Sequence, residues 1–142
     1  PLIDAKGNII GITTVKISEA EGIGFAVPIN IIKPIIERLE ENESFQEASL
    51  GIYGYDKEAI QYIDSNVKFE NGVYVSDLVI GGAAKKADIQ IGDIIEEIDG
   101  IELNKINDLR KYIYKKNIGD EVKLVILRGK EEIEKIVQLK KK

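Results

Sequence analysis

The residues able to do chemistry in this chain of 142 residues are constrained first by what is missing, since it contains no Cys and no His. Zinc and iron–sulfur sites of the usual ligand types are therefore excluded within it. The hydroxyls of Thr13, Thr14 and Ser18 have no imidazole to take their protons. A hydroxyl without such a base is not an activated nucleophile, so none of the three is assigned catalysis. The carboxylates Asp93, Glu96, Glu97, Asp99 and Glu102 invite a paired-acid or calcium reading. A calcium loop needs oxygen ligands at alternate positions around a central glycine, and this spacing does not provide them. Alternation along a strand and a hairpin accounts for these acids instead. Neither a metal nor a cofactor is expected.

The charge pattern narrows the partners. There are 25 acidic and 20 basic residues, a net charge of −5, with both signs interspersed. A phosphate-backbone binder would show a basic face, so no nucleic acid is expected. Lys140-Lys141-Lys142 reads as a short solvated tail. With 44% hydrophobic and 32% charged residues, the chain can bury a core and remains outside the disordered range. No apolar run approaches the ~20 residues of a spanning helix. Pro1 is not a natural translation start, so the chain reads as cut from something longer and the lack of a targeting segment is uninformative.

The elements that would position any site fall into two groups. Leu2-Ile3 precedes a turn at Asp4-Ala5-Lys6-Gly7-Asn8. Ile9 to Val15 is β-branched almost throughout, which suits a strand buried on both faces. A polar loop at Ser18 to Gly22 leads to a second strand, Gly22 to Val27, ended by Pro28. Asn30 is the expected N-cap of a helix, with Pro34 in its first turn and Ile32, Ile35, Ile36 and Leu39 as its apolar stripe. The acidic stretch Glu40 to Glu47 marks the boundary, and the division expected is residues 1–43 and 44–142. In the second group, strands are expected over Leu50 to Tyr55, Val73 to Leu78, Ile94 to Ile98, Val122 to Leu127 and Ile133 to Leu139. Asp56 caps a short helix through Ile63, and Asp99-Gly100 is a strong hairpin signal. Gly81-Gly82 opens an Ala-rich turn, and a longer helix starts near Asn107. Five or six short strands with two helices make a small, partly open barrel of mixed α and β type.

Four pieces of the second group occur in an order that resembles a PDZ domain of the bacterial, circularly permuted kind, over residues 49–139. They are Leu50-Gly51-Ile52; Gly72-Val73-Tyr74-Val75; Gly92-Asp93-Ile94-Ile95 with Ile98-Asp99-Gly100; and Asp108-Leu109-Arg110 before Gly119-Asp120 and Val125-Ile126-Leu127-Arg128. In the first group, Gly22-Ile23-Gly24-Phe25-Ala26-Val27-Pro28 resembles a strand of HtrA/Deg-type (DegP-like, trypsin-like) serine proteases. Pro1-Leu2-Ile3-Asp4 with Gly7-Asn8-Ile9-Ile10-Gly11-Ile12 resembles the segment after their nucleophile motif. Two departures are visible. Ser49 stands where HtrA-type PDZ domains often carry an aromatic residue, and Asp88 takes a glycine place, which Asp tolerates because it visits the left-handed region.

The resemblance implies residues 1–43 to be the last strands and helix of a chymotrypsin-like protease barrel, followed by a PDZ domain at 44–142. Gly51 lets the backbone approach a ligand, so that the N–H groups of Leu50, Gly51 and Ile52 can converge on the carboxylate at a peptide or protein C-terminus. The strand Ile52 to Gly54 then offers a free edge for an added strand. Leu109, Tyr112 and Ile113 are the candidates for the facing wall, with plain core as the alternative for Leu109 and Ile113. The parent would be an endopeptidase of protein quality control whose Ser–His–Asp triad lies upstream of Pro1, so this chain is expected to be inactive. Ile12, Thr13, Gly22, Ile23, Gly24 and Phe25 would descend from its substrate cleft. An extracytoplasmic, trimer-based homo-oligomer, anchored by an N-terminal segment, is implied. Residues 9–27 are expected to self-associate or dock, because torn strand edges seek partners. A second role stays open, in which the groove contacts its own protease domain or a neighbouring subunit. Loop closure at Ser49 favours that role; free Leu50 and Gly51 amides favour peptide capture.

Overall fold

A computed structural model describes residues 1–16, 24–42 and 46–142. The chain divides into two units, Pro1–Phe45 and Gln46–Lys142. The expected loop at Ser18 to Gly22 lies outside the described residues.

The first unit is an antiparallel sheet in the order β1 (Leu2–Ile3), β2 (Ile9–Lys16), β3 (Gly24–Pro28), followed by helix α1 (Ile29–Asn42). Asp4 shapes the first turn by accepting the Lys6 and Asn8 N–H groups at 2.8 and 2.9 Å. The Asn8 side-chain and backbone hydrogen bonds hold the Asp4 carboxyl below its ordinary range. The helix begins at Ile29, so Asn30 is its second residue and no cap. Pro34 therefore sits inside the helix, where it forfeits one backbone hydrogen bond. The expectation that Ile9 to Val15 is buried on both faces fails: Ile9, Ile10 and Ile12 are exposed, Ile9 at 50%. One helix and three short strands have too few layers to cover both faces of a sheet.

The second unit is built on a six-stranded sheet. Its path runs β10 (Glu131–Gln138), β9 (Glu121–Arg128), β7 (Ile94–Ile98), β6 (Val73–Leu78), β5 (Ile52–Tyr55), with β8 (Ile101–Glu102) paired to β7. A two-stranded sheet joins β4 (Ala48–Ser49) to β11 (Lys140–Lys141). The expected solvated tail at Lys140–Lys142 is thus a strand, because residues 47–49 offer it backbone partners. Helices α2 (Lys57–Ile60) and α3 (Ala83–Lys86) are single turns, and α4 (Ile106–Ile113) is longer. The fold is mixed α and β with open sheets.

Alternation builds its core. In β9, Val122, Leu124 and Ile126 point inward between Glu121, Lys123 and a half-buried Val125. They meet Val73, Val75, Ile95, Ile98, Leu103 and Val137 in one cluster. Each such side chain contributes about 1.5–3 kcal/mol on burial. Local signals set the corners. Asp56 caps α2 through Ala59 N–H at 3.2 Å, and Asp88 does take a left-handed conformation, φ +59°.

Asp93 departs from simple strand alternation, because it is only 1% exposed. It receives Nε and Nη2 of Arg128 at 2.8 Å each, and the Gln90 N–H at 2.8 Å. These bonds to Asp93 hold the Arg128 guanidinium above its ordinary range. Arg128 Nη2 also reaches the Asp88 carbonyl at 2.7 Å, while Lys135 Nζ lies 2.9 Å from the Asp88 carboxylate. Among the described residues, no buried side-chain polar atom lacks a partner.

Candidate functional site

The edge strand β5 and helix α4 face each other across a groove of about 370 Å³. At one end lies the Leu50-Gly51 loop that leads from β4 into β5. Two hydrogen bonds fix this loop. The Leu50 carbonyl accepts the Ala84 N–H at 2.7 Å, and the Gly51 carbonyl accepts the Val79 N–H at 2.9 Å. Gly51 is required here for two reasons. Its φ is +73°, and a Cβ would stand 2.9 Å from the Gly82 Cα. Close approach to the 79–84 turn therefore demands glycine at this place, in addition to any approach by a ligand.

Leu50, Gly51, Ile52, Gly54, Leu109 and Ile113 all line the groove. Leu50, Leu109 and Ile113 are also buried members of the main core. Leu50, Leu109 and Ile113 thus belong to the groove lining and to the core cluster at once. Position 54 requires glycine, since a Cβ there would meet Val73 Cγ1 at 2.7 Å.

Tyr112 is the exception. It does not line the groove; its hydroxyl donates to Asp99 Oδ2 at 2.7 Å. Lys116 Nζ lies 3.1 Å from the same oxygen and 4.8 Å from the Tyr112 ring centre. Partial burial opposes ionisation of Asp99, but the bonds from Lys123 N–H, Tyr112 and Lys116 outweigh it and keep that carboxyl low. Helical geometry explains the displacement. At about 100° per residue, Ile106, Leu109, Arg110 and Ile113 share one arc of roughly 100°, and Tyr112 falls about 60° outside it.

The lining residues that the sequence reading missed are Ile106, Arg110 and Tyr114 on or beside α4, Tyr53 and Tyr55 on β5, and Glu47, Ala48, Ser49 and Lys142 at the loop end. Ile106 was detectable, being three residues before Leu109 on the same stripe; placing the helix start near Asn107 hid it. Asp108 sets the true start by accepting the Lys105 N–H at 3.1 Å. Lys142 was not detectable, because its place depends on pairing across the chain. Its Nζ bonds Glu47 Oε1 at 2.8 Å, which raises the Lys142 pKa above its ordinary value.

The chemistry on offer is that of binding. The floor is apolar, one wall is a strand edge without a ladder partner among the described residues, and the loop end carries backbone amides. One of those amides is already engaged: the Gly51 N–H donates to Ser49 Oγ at 2.9 Å. Of the expected cleft residues, Ile12 and Thr13 lie in β2 and Gly24 and Phe25 in β3, all exposed. Gly22 and Ile23 fall outside the described residues. No group of three acids that could hold a metal occurs among the described residues.

The PDZ domain family model matches residues 10–139. The serine protease Do-like HtrA of Bacillus subtilis is 36% identical over 152 aligned positions, covering 100% of this chain and 34% of that protein. The periplasmic pH-dependent serine endoprotease DegQ of Escherichia coli is 32% identical, covering 97% of this chain and 31% of that protein. The chain therefore spans about a third of the length of these curated relatives. The solved HtrA-type protease AlgW with decapeptide superposes with a TM-score of 0.68 at 22% identity, over 98% of this chain and 44% of that one. A solved HtrA3 PDZ domain bound to a phage-derived ligand covers 67% of this chain and 86% of its own, with a TM-score of 0.57 at 18% identity. Both likenesses concern the fold. With a family match across most of its length and HtrA-type relatives along all of it, this chain belongs to the PDZ domain family in its HtrA-type form.

Proposed function

We propose that residues 46–142 bind the C-termini of peptides or proteins, and that residues 1–45 are the closing strands and helix of a chymotrypsin-like protease domain. One observation carries the first part: β5 leaves a ladder edge facing an apolar-floored groove that starts at the Leu50-Gly51 loop. A peptide in extended form adds to that edge antiparallel to β5. Its backbone supplies affinity, its last side chain enters between Ile52 and Ile113, and its carboxylate meets the loop amides. The solved relatives with a decapeptide and with a phage-derived ligand support this reading.

In the whole protein, the PDZ domain feeds or regulates a serine endopeptidase of protein quality control. The names of the related serine proteases support the endopeptidase part of that role, and the periplasmic relatives support an extracytoplasmic place. The parent is trimer-based and membrane-anchored on this reading. Strands β2 and β3 cover their edges with protease strands or, in this chain alone, with a second copy. On this reading the 142-residue chain, which has no His, is expected to lack the Ser–His–Asp chemistry of the parent.

The test is titration of the full chain with a C-terminal peptide library, each member compared with its amidated form. Binding lost on amidation supports capture of a free carboxylate. Absence of binding by every free-acid peptide overturns it.

A second reading has its own observation. Ser49 closes the loop on the Gly51 amide, as an assembly module with no peptide ligand would. In that role the groove packs against its own protease domain or a neighbouring subunit.

A further inference from the structure

The Ser49 hydroxyl occupies the donor that the peptide reading most needs. Ser49 lines the groove, and its Oγ accepts the Gly51 N–H at 2.9 Å in a partly buried position. The loop around it has little freedom to offer that amide differently. Both loop carbonyls are held by Ala84 and Val79 N–H groups, and the Gly51 Cα packs against Gly82 so closely that no Cβ fits between them. Ser49 itself is paired with Lys140 in the β4–β11 ladder, so its backbone is fixed as well. The movable part is the Ser49 side chain, which leaves the amide by a rotation about χ1.

We propose that Ser49 is an internal competitor for the carboxylate site: its hydroxyl caps Gly51 in the empty groove and must swing away before a C-terminal carboxylate binds. This rests on the peptide-binding reading and adds to it a residue that sets affinity. The exchange favours the ligand, because an N–H bond to a carboxylate is stronger than one to a neutral hydroxyl. An amide left to a hydroxyl excludes weaker acceptors such as backbone carbonyls of internal, non-terminal segments. The same bond that suggests a closed assembly loop thus becomes a threshold that only a charged terminus passes.

Removing the competitor removes the cost of displacing one neutral hydrogen bond. Ser49→Ala is therefore expected to bind free-acid peptides about fivefold more tightly than the unaltered chain. The hydroxyl competes only for the amide that takes the terminus, so the factor is expected to be the same for peptides ending in Ala, Val or Leu. Ser49→Thr keeps the acceptor and is expected to retain the original affinity. The 142-residue chain and both variants would be titrated with these three peptides, and the exchange rate of the Gly51 amide followed by NMR. In the peptide-free proteins, that amide is expected to exchange faster in Ser49→Ala than in the other two.

The outcomes separate. A uniform gain in Ser49→Ala with faster Gly51 exchange supports the competitor. Unchanged or weaker binding overturns it, weaker binding meaning that the hydroxyl donates to the carboxylate instead. A gain that varies with the last side chain also overturns it, since reshaping of the pocket then explains the effect. If no free-acid peptide binds any of the three proteins, the peptide reading itself falls and the competitor falls with it.

Discussion

Residues 1–45 and 46–142 are both built from short β-branched strands and one substantial helix, yet they use their apolar side chains differently. In the second unit, Ile95, Ile98, Leu124 and Ile126 vanish from solvent, because strands β7 and β9 share a face that helices and loops cover. In the first, Leu2, Ile3, Ile9, Ile10 and Phe25 remain exposed, Phe25 at 53%. Strand propensity is equal in the two; the number of layers is not. An apolar strand stabilises a fold only when a second layer takes its face out of water.

The largest expected effect lies at Asp93, the one buried charge among the described residues. Arg128→Met leaves Asp93 buried without its forked partner, which costs about 3–5 kcal/mol. Chemical denaturation of the second unit would show it. A loss under about 1 kcal/mol would mean that water reaches Asp93 and that this core is less dry than its burial implies.

A matched pair tests the comparison directly. Ile95→Ala in β7 is expected to cost about 2–5 kcal/mol, whereas Ile12→Ala in β2 costs roughly 0.5 kcal/mol, as exposed positions do. Equal losses in urea unfolding would break the contrast. A large loss at Ile12 would show that a second copy covers it, and the loss would then depend on protein concentration.

Gly51→Ala sits between these extremes. The left-handed backbone costs about 1–2 kcal/mol, and the Cβ must displace the Gly82 backbone as well. Peptide affinity is expected to fall with it, while the melting of the first unit stays where it was.

The smallest effect is a pH dependence. The Lys135 ammonium, with help from Gln90 and Arg128, lowers the Asp88 carboxyl from 3.8 to about 2. Because the folded value lies below the unfolded one, this contribution is fully present above about pH 4 and is lost as pH falls toward 2. Asp88→Asn, which also tolerates the left-handed backbone, is expected to flatten that part of the stability profile. An unchanged profile would show that solvent screens the pair completely.

Local chemistry was enough for much of the architecture. Strands β6 and β7 match their expected ends, the Asp99-Gly100 hairpin forms, Asp56 caps its helix, and Asp88 takes the glycine conformation. Each of these depends on residues within a few positions, where dihedral preference and side-chain capping act alone. The Leu50-Gly51 loop and part of the groove lining were legible for the same reason, through the run Leu50-Gly51-Ile52 and the stripe Leu109 and Ile113. What stayed hidden needed distant partners or an accurate helix phase. Tyr112 was misread for the wall because a small error in where α4 begins hides Ile106 and leaves the groove-facing arc undefined. Asp93 passed for a strand acid because Arg128 lies 35 positions away. Lys140–Lys142 passed for a tail because its partner strand lies near residue 48. The sequence by itself determined where the chain turns and which strands can pair. Only the tertiary structure decided which apolar faces are covered and which charges are buried together, since each of those depends on several elements fixing one another's geometry.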